Sequence, residues 1–423
     1  MKHPWSSFLI LLFASTVTLN GQQALPEWKE GMLDIHFIST GSGNCNLIVM
    51  PDGTTMLVDA GEMDPTSPRV LSPRNTRRFP NYSKLAYQWQ SEYIQAMLPS
   101  RKSGSLLDYA LVTHYHDDHY GSVYPGVPKS EKGDYFLSGI TGVGELIGFR
   151  TFVDRGWNYP VDLRKEATTN PRLKSLANYF SFIDFSIAHT GMRYQPFVPG
   201  SSAQFVMCNN PSAHPSFSIQ NIQANGIVVK EGKPVTLMPS PESITRTAIP
   251  SENHLSTGIL LKYGSFKCYL GADIPGSAPA YEERPAWHDV ESLVAPIVGE
   301  VDVTTTNHHA NRDAMTPFYL SILKPRVIIQ EVWSSDHPGH EALIRMTSQK
   351  IWQGERDLFA TAMLEANRLV IGDLIEKSYR SLNGHIVLRV EPGGKQYRVY
   401  ILNSETESRH VTAIHGPYQT KEK

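Results

Sequence analysis

The sequence predicts an α/β protein in which helices pack on the outside of two facing sheets. Paired strand signals open the chain, a stretch of helical periodicity follows, and the next strand ends in a cluster of ligand-grade polar residues. At 423 residues the chain has room for one large core or two moderate ones, and it shows no internal repeat or low-complexity tract.

Leu33-Asp34-Ile35-His36-Phe37-Ile38 alternates as a half-buried strand does, whereas Leu47-Ile48-Val49-Met50 is continuously apolar. The turn Pro51-Asp52-Gly53-Thr54 joins the latter to Met56-Leu57-Val58-Asp59-Ala60-Gly61, which is a hairpin signal. Leu85, Trp89, Tyr93 and Met97 then recur at helical spacing, so Ser83 to Met97 should lay one apolar face on the sheet. Leu107 to Val112 is the next strand. From 125 to 250 Gly, Pro, Ser and Asn are frequent, and only short strand-like pieces such as Gln204-Phe205-Val206-Met207 stand out. This predicts an insertion that covers a site rather than a separate domain. Regularity returns with strands at Thr257–Tyr263 and Phe266–Leu270 around a turn at Gly264. A helix over Val290–Val298, strands over Val301–Thr305 and Pro325–Gln330, and a helix over Glu341–Trp352 follow, within a main domain of residues 30–375. The extension 376–423 holds one more hairpin, His385 to Val390 and Gln396 to Leu402, turning at Pro392-Gly393-Gly394.

Composition narrows the partners. Lys and Arg number 39 against 41 Asp and Glu, and a net charge of -2 gives no global field to draw nucleic acid or an anionic membrane. A small-molecule substrate is the expected partner, and the oligomeric state is left open. Lys2 and His3 precede the apolar run Phe8 to Ala14, and small and polar residues follow through Gly21. That layout predicts a signal peptide over 1–21, hence a secreted or periplasmic protein, with no transmembrane segment once it is removed. Cys45, Cys208 and Cys268, odd in number and widely spaced, do not make a disulfide framework.

The strongest chemical signal is Thr113-His114-Tyr115-His116-Asp117-Asp118-His119-Tyr120-Gly121. Imidazole nitrogen and carboxylate oxygen are what zinc and related divalent ions bind. Residues two apart on an extended backbone point the same way, so His114 and His116 can grip one ion. Asp118 and His119, displaced by the turn, can reach a second. Asp117 is left without an assignment.

With this cluster the chain resembles the metallo-β-lactamase-fold hydrolases. The nearest variety is the hydrolase-like domain of DNA-uptake competence proteins and the phosphorylcholine esterases. The shared features are Phe37 to Asn44, Asp59-Ala60-Gly61, the His cluster, Asn253 to Lys262, Gly271-Ala272-Asp273 and His308-His309. The competence branch has an acid at the place of His116, Asp at Asn44 and Gly at Ala310, and it carries membrane helices, so DNA uptake does not transfer.

What the resemblance implies is a four-layer αβ/βα sandwich and a dinuclear site loaded with zinc, or with manganese or iron. His114, His116 and His254 would hold one ion, with His214 and His189 as alternatives to His254. Asp118, His119 and His309 would hold the other, and Asp273 would bridge the two. Of the adjacent pair, His309 precedes a small residue and is favoured as the ligand over His308. Asp59 would orient a ligand histidine by hydrogen bond. Asp118 and His308 are the catalytic candidates.

The expected activity is metal-assisted hydrolysis of a phosphodiester or phosphate ester. Arg69, Arg74, Arg77 and Arg78 form a cationic cluster, of which Arg74, Arg77 and Arg78 are the candidate phosphate receptors. Two other readings stand beside it: hydrolysis of a lactone, β-lactam or similar cyclic ester or amide, and a non-catalytic metal-binding protein on the same fold.

Overall fold

The computed structural model describes residues 23–100, 104, 106–244, 249–276 and 284–421. The signal peptide expected over residues 1–21 lies outside the described residues. No described helix is long and apolar enough to cross a membrane.

β1 (Leu33–Phe37), β2 (Asn46–Val49) and β3 (Thr55–Val58) form an antiparallel meander. β4 (Leu107–Val112), β5 (Phe149–Asp154) and β6 (Arg193–Pro196) extend it in parallel. A second sheet starts with β7 (Phe217–Ala224), β8 (Ile227–Lys230) and β9 (Lys233–Thr236), and β7 pairs with β10 (Gly258–Tyr263). β11 (Phe266–Leu270) closes a hairpin with β10, and β12 (Val303–Thr305), β13 (Val327–Gln330), β14 (Asp357–Ala360) and β15 (Tyr379–Ser381) follow in parallel. The chain then returns to the first sheet as β16 (His385–Val390), β17 (Gln396–Leu402) and β18 (Val411–Gln419), with β16 antiparallel to β1. Each sheet has nine strands, in the orders β18-β17-β16-β1-β2-β3-β4-β5-β6 and β15-β14-β13-β12-β11-β10-β7-β8-β9.

Alternation along the strands sets the layers. Leu33, Ile35 and Phe37 of β1 share a core between the sheets with Tyr109 and Leu111 of β4, Ile259 and Leu261 of β10, and Val327 and Ile329 of β13. Ala110 and Val112 face the other way, onto Tyr93 and Ile94 of the helix Ala86–Met97 and Tyr179 and Ile183 of the helix Lys174–Thr190. In the second sheet Leu260 and Ile328 face Val294 of the helix Val290–Val298, Leu320 of Pro317–Leu323 and Leu343 of His340–Thr347. The result is helix, sheet, sheet, helix: the four-layer αβ/βα sandwich that was expected.

Two boundaries need correction. Residues 125–250 are not an insertion over the site, because they supply β5, β6, β7, β8 and β9 and the 17-residue helix Lys174–Thr190. Hydrogen-bonded polar residues hide these elements in the sequence. On β7, Asn221 is buried because its Nδ2 donates to Val198 O at 3.0 Å, and Gln223 because its Oε1 accepts from Tyr269 OH at 2.9 Å. Gln204–Met207, expected as strand-like, is irregular, although Phe205 and Met207 reach the core, the former against Tyr109. The tail is likewise no appendage. Buried Arg389 on β16 donates from Nε and Nη2 to the two oxygens of Asp34 on β1, at 2.8 and 2.6 Å. Cys45 and Cys268 are buried, Cys208 is exposed, and none is disulfide-bonded.

Candidate metal centre

The segments leaving β3, β4, β11, β12 and β13 converge at one edge of the sandwich, beyond the carboxyl ends of those strands. Backbone hydrogen bonds lace the first two to each other and to the β1–β2 loop: Asn44 N donates to Asp118 O at 2.8 Å, Ala60 N to His119 O at 2.9 Å and Gly61 N to Asn44 O at 2.8 Å. The approach is so close that only glycine fits at two points. A Cβ on Gly43, whose φ is +121°, would stand 2.1 Å from Asp118 O, and one on Gly61 would stand 2.0 Å from it. Gly43→Ala should therefore cost more than the ~1–3 kcal/mol of a strained backbone alone, since the Asp118 turn must also move. Denaturant unfolding and metal analysis check this; wild-type stability together with wild-type metal content would refute it.

Two groups of ligand atoms result. Asp118, His119, Asp273 and His309 form one and His114, His116 and Asp273 the other, and within each group the donor atoms lie within 4.8 Å of one another. Asp273 belongs to both. Its Oδ2 lies 3.3 Å from His309 Nε2, 3.4 Å from His119 Nε2 and 3.8 Å from His114 Nε2. His114 Nε2 and His116 Nδ1 are 3.1 Å apart.

His119 and His309 are each aimed by a partner on the other nitrogen. Asp59 Oδ2 accepts from His119 Nδ1 at 2.8 Å, while its carboxylate also accepts from Thr113 N and Oγ1. His309 Nδ1 donates to Glu331 O at 3.1 Å. Such partners fix tautomer and ring direction, leaving Nε2 to face the centre.

Burial opposes charge here, yet His119 and His309 hold the carboxyls of Asp118 and Asp273 far below their usual range. In return Asp273 and Asp118 outweigh burial at His309, raised to about 10, and lift His119 above its ordinary value as well. The carboxylates thus demand positive charge where the nitrogens converge. His119 Nε2 is buried at that point without a hydrogen-bond partner. Nitrogen and carboxylate donors around a buried atom of this kind fit a divalent ion such as zinc.

The adjacent histidines separate because β12 ends in a left-handed turn. His308, His309 and Ala310 have φ of 44°, 53° and 60°. His309 enters the ligand group, while His308 Nδ1 lies 2.8 Å from Asp313 Oδ1 and its Nε2 faces the pocket, 2.9 Å from Asn253 Nδ2.

His254 is not brought to the centre. The short 3₁₀ turn Glu252–Leu255 sends neighbouring side chains about 120° apart, at three residues per turn. Asn253 takes the pocket side, and His254 turns to Ser251 Oγ and His288 Nδ1, at 2.7 and 2.9 Å. The alternatives are no nearer: His214 lies beside Glu30 and His189 against Phe185.

An open pocket of roughly 410 Å³ lies over both groups, and none of its lining residues comes from 125–250. Nor do the three candidate arginines line it. Arg74 Nε donates to Ser335 Oγ, Arg77 pairs with Glu405, and Arg78 Nη1 donates to Lys84 O. Their neighbour Arg69 does line it, as does Asp117.

Two lining residues that touch the ligand group escaped the sequence reading. Trp333 Nε1 donates to Asp118 Oδ2 at 2.9 Å, and the His337 ring stacks on His309 with centroids 4.4 Å apart. Both follow β13, as the other site residues follow their strands. That position was the available signal.

No family model matches the chain, and no curated protein matches it. Among solved structures it is similar to Zn(2+)-bound PqqB from Methylobacterium extorquens, at 12% identity over 82% of this chain and 87% of that one, with a TM-score of 0.38. A mutant of CmlA beta-hydroxylase gives 12% identity over 85% and 54% with a TM-score of 0.31. Human tRNase Z, short form, gives 12% over 70% and 91% with a TM-score of 0.32. Likenesses this distant assign no reaction, which has to come from the side chains.

Proposed function

We propose that the protein is an exported metal-dependent hydrolase holding two divalent ions, zinc first among them, and that it acts on a phosphodiester or phosphate ester. The observation that carries the two-ion reading is the position of Asp273, whose Oδ2 lies against imidazoles of both ligand groups. Ions so held would supply hydroxide near neutral pH and polarise the electrophile. The group of His114, His116 and Asp273 offers three protein ligands and leaves a position for water or substrate, as hydrolytic sites do.

The chain's own residues complete the chemistry. Asp313 accepts from His308 Nδ1 and so fixes the ring, which leaves Nε2 as the atom that gives or takes a proton at the leaving group. Asn253 steadies that nitrogen from across the pocket. The likeness of Asn253 to Lys262 and of His308-His309 to the competence and phosphorylcholine esterase branch favours phosphate chemistry over lactone or β-lactam hydrolysis.

Metal analysis of the purified protein, joined to a panel of phosphodiester, phosphomonoester, lactone and β-lactam substrates, tests the proposal. Turnover of lactones or β-lactams without phosphoester cleavage would overturn the substrate class. His308→Ala should keep the metal content and lower kcat by about 10²–10⁴, the usual yield of a positioned acid or base. Loss of metal in that variant would make His308 a ligand instead.

A further inference from the structure

One wall of the pocket is built differently from the rest. Trp333, 5% exposed, binds the Asp118 carboxylate by its indole N–H and thereby joins the ligand group to the wall. The guanidinium of Arg69 lies over the Trp333 ring, with Cζ 5.1 Å from its centroid. The His337 ring meets Trp333 edge-on, with centroids 4.9 Å apart, and is itself only 2% exposed. Trp333 N approaches His337 Nδ1 at 3.5 Å, which makes Nδ1 the acceptor and places the ring proton on Nε2. Nε2 is 3.8 Å from its nearest carboxylate, Asp336 Oδ1, beyond hydrogen-bond reach. One cation and one buried N–H donor therefore stand on the same aromatic ring, next to the Asp118 and His309 ligand group, and both line the pocket.

We propose that Arg69 and His337 form a receptor for a single oxyanion of the substrate, a non-bridging phosphoryl oxygen or a carboxylate set beside the scissile ester. This rests on the hydrolase reading above and narrows it. The Nε2–H of His337 and the guanidinium of Arg69 both offer donors, so a negatively charged oxygen satisfies both. The carboxylates of Asp64, Asp117 and Asp336 line the same pocket. Outside the ligand groups these three carboxylates stand against the single guanidinium of Arg69, which disfavours a chain of phosphates while leaving room for one. The substrate is accordingly a small, singly anionic ester rather than a nucleic acid.

Zinc-loaded wild type, Arg69→Ala, Arg69→Lys, His337→Ala and His337→Gln proteins, titrated calorimetrically with inorganic phosphate and assayed for metal, test this. Arg69 is exposed, so its replacement leaves the fold intact, and His337→Gln retains an N–H donor if the alanine variant misfolds. All variants should keep wild-type metal content. Phosphate Kd should rise at least about tenfold in each alanine variant and less in Arg69→Lys and His337→Gln. Unchanged affinity in both alanine variants would overturn the proposal, as would metal loss in His337→Gln, which would show that the ring only supports His309. Phosphate binding that depends on both residues, in a wild-type protein that cleaves no ester, would keep the receptor and remove the hydrolase reading. Ester turnover with phosphate affinity indifferent to both residues would do the reverse.

Discussion

Asp273→Ala is expected to empty both ion positions together and to lower turnover at least about a thousandfold. That factor needs only ~4 kcal/mol of lost transition-state stabilisation, which is modest for the removal of a metal-borne hydroxide. Asp118→Ala, by contrast, should weaken one position and spare the other, because Asp118 belongs to a single ligand group. Asp273 Oδ2 faces His114, His119 and His309, and its loss leaves three buried imidazoles converging with no anion between them. Metal analysis of the two variants side by side decides the matter. Full occupancy in Asp273→Ala would show that the carboxylate bridges nothing.

The His114–His119 segment was legible because its geometry is local. Spacing of two on an extended backbone followed by one turn decides which side chains share a direction. The strands were legible where apolar residues dominate them, as in β4, β11 and β16, whose limits match the sequence reading. β7 escaped because Asn221 and Gln223 are buried through hydrogen bonds to distant partners that no periodicity announces. β18 escaped for another reason: only part of it is buried, and Gly416 and Pro417 interrupt its run.

His254 was misplaced because a preceding strand-like position could not reveal the 3₁₀ turn that gives Asn253 the pocket side. The arginines failed on side-chain direction. Arg69, at the start of its segment, reaches the pocket, while Arg77 and Arg78 are drawn off by Glu405 and Lys84 O. His337 follows β13, a parallel strand like β4 and β12, whose ends carry other ligands. In open α/β sheets ligands gather at the carboxyl ends of parallel strands, so that segment merited the same reading as the others.

The largest effect on stability should come from Arg155→Ala. The Arg155 side chain is fully buried. Its Nε and Nη2 donate to the two oxygens of Glu252 at 2.9 and 2.6 Å, and Nη1 donates to Gly156 O, Tyr159 O and Asn225 Oδ1. The guanidinium lies over the Tyr115 ring at 4.6 Å, and Glu252 Oε2 accepts from Tyr115 N at 3.1 Å. One side chain thus ties Tyr115, between His114 and His116, to Glu252, beside Asn253. Truncating one member of a buried ion pair strands the other charge, at a cost of ~3–5 kcal/mol, whereas replacing both members costs far less. Arg155→Ala should fall in that range by denaturant unfolding and should also weaken metal binding at the His114 and His116 group. In Arg155→Met/Glu252→Gln the stranded carboxylate is gone while an acceptor for Tyr115 N remains, so much of the loss should return. A loss below about 1 kcal/mol in Arg155→Ala, or a double variant no more stable than the single one, would show that the pair does not hold the ligand loop.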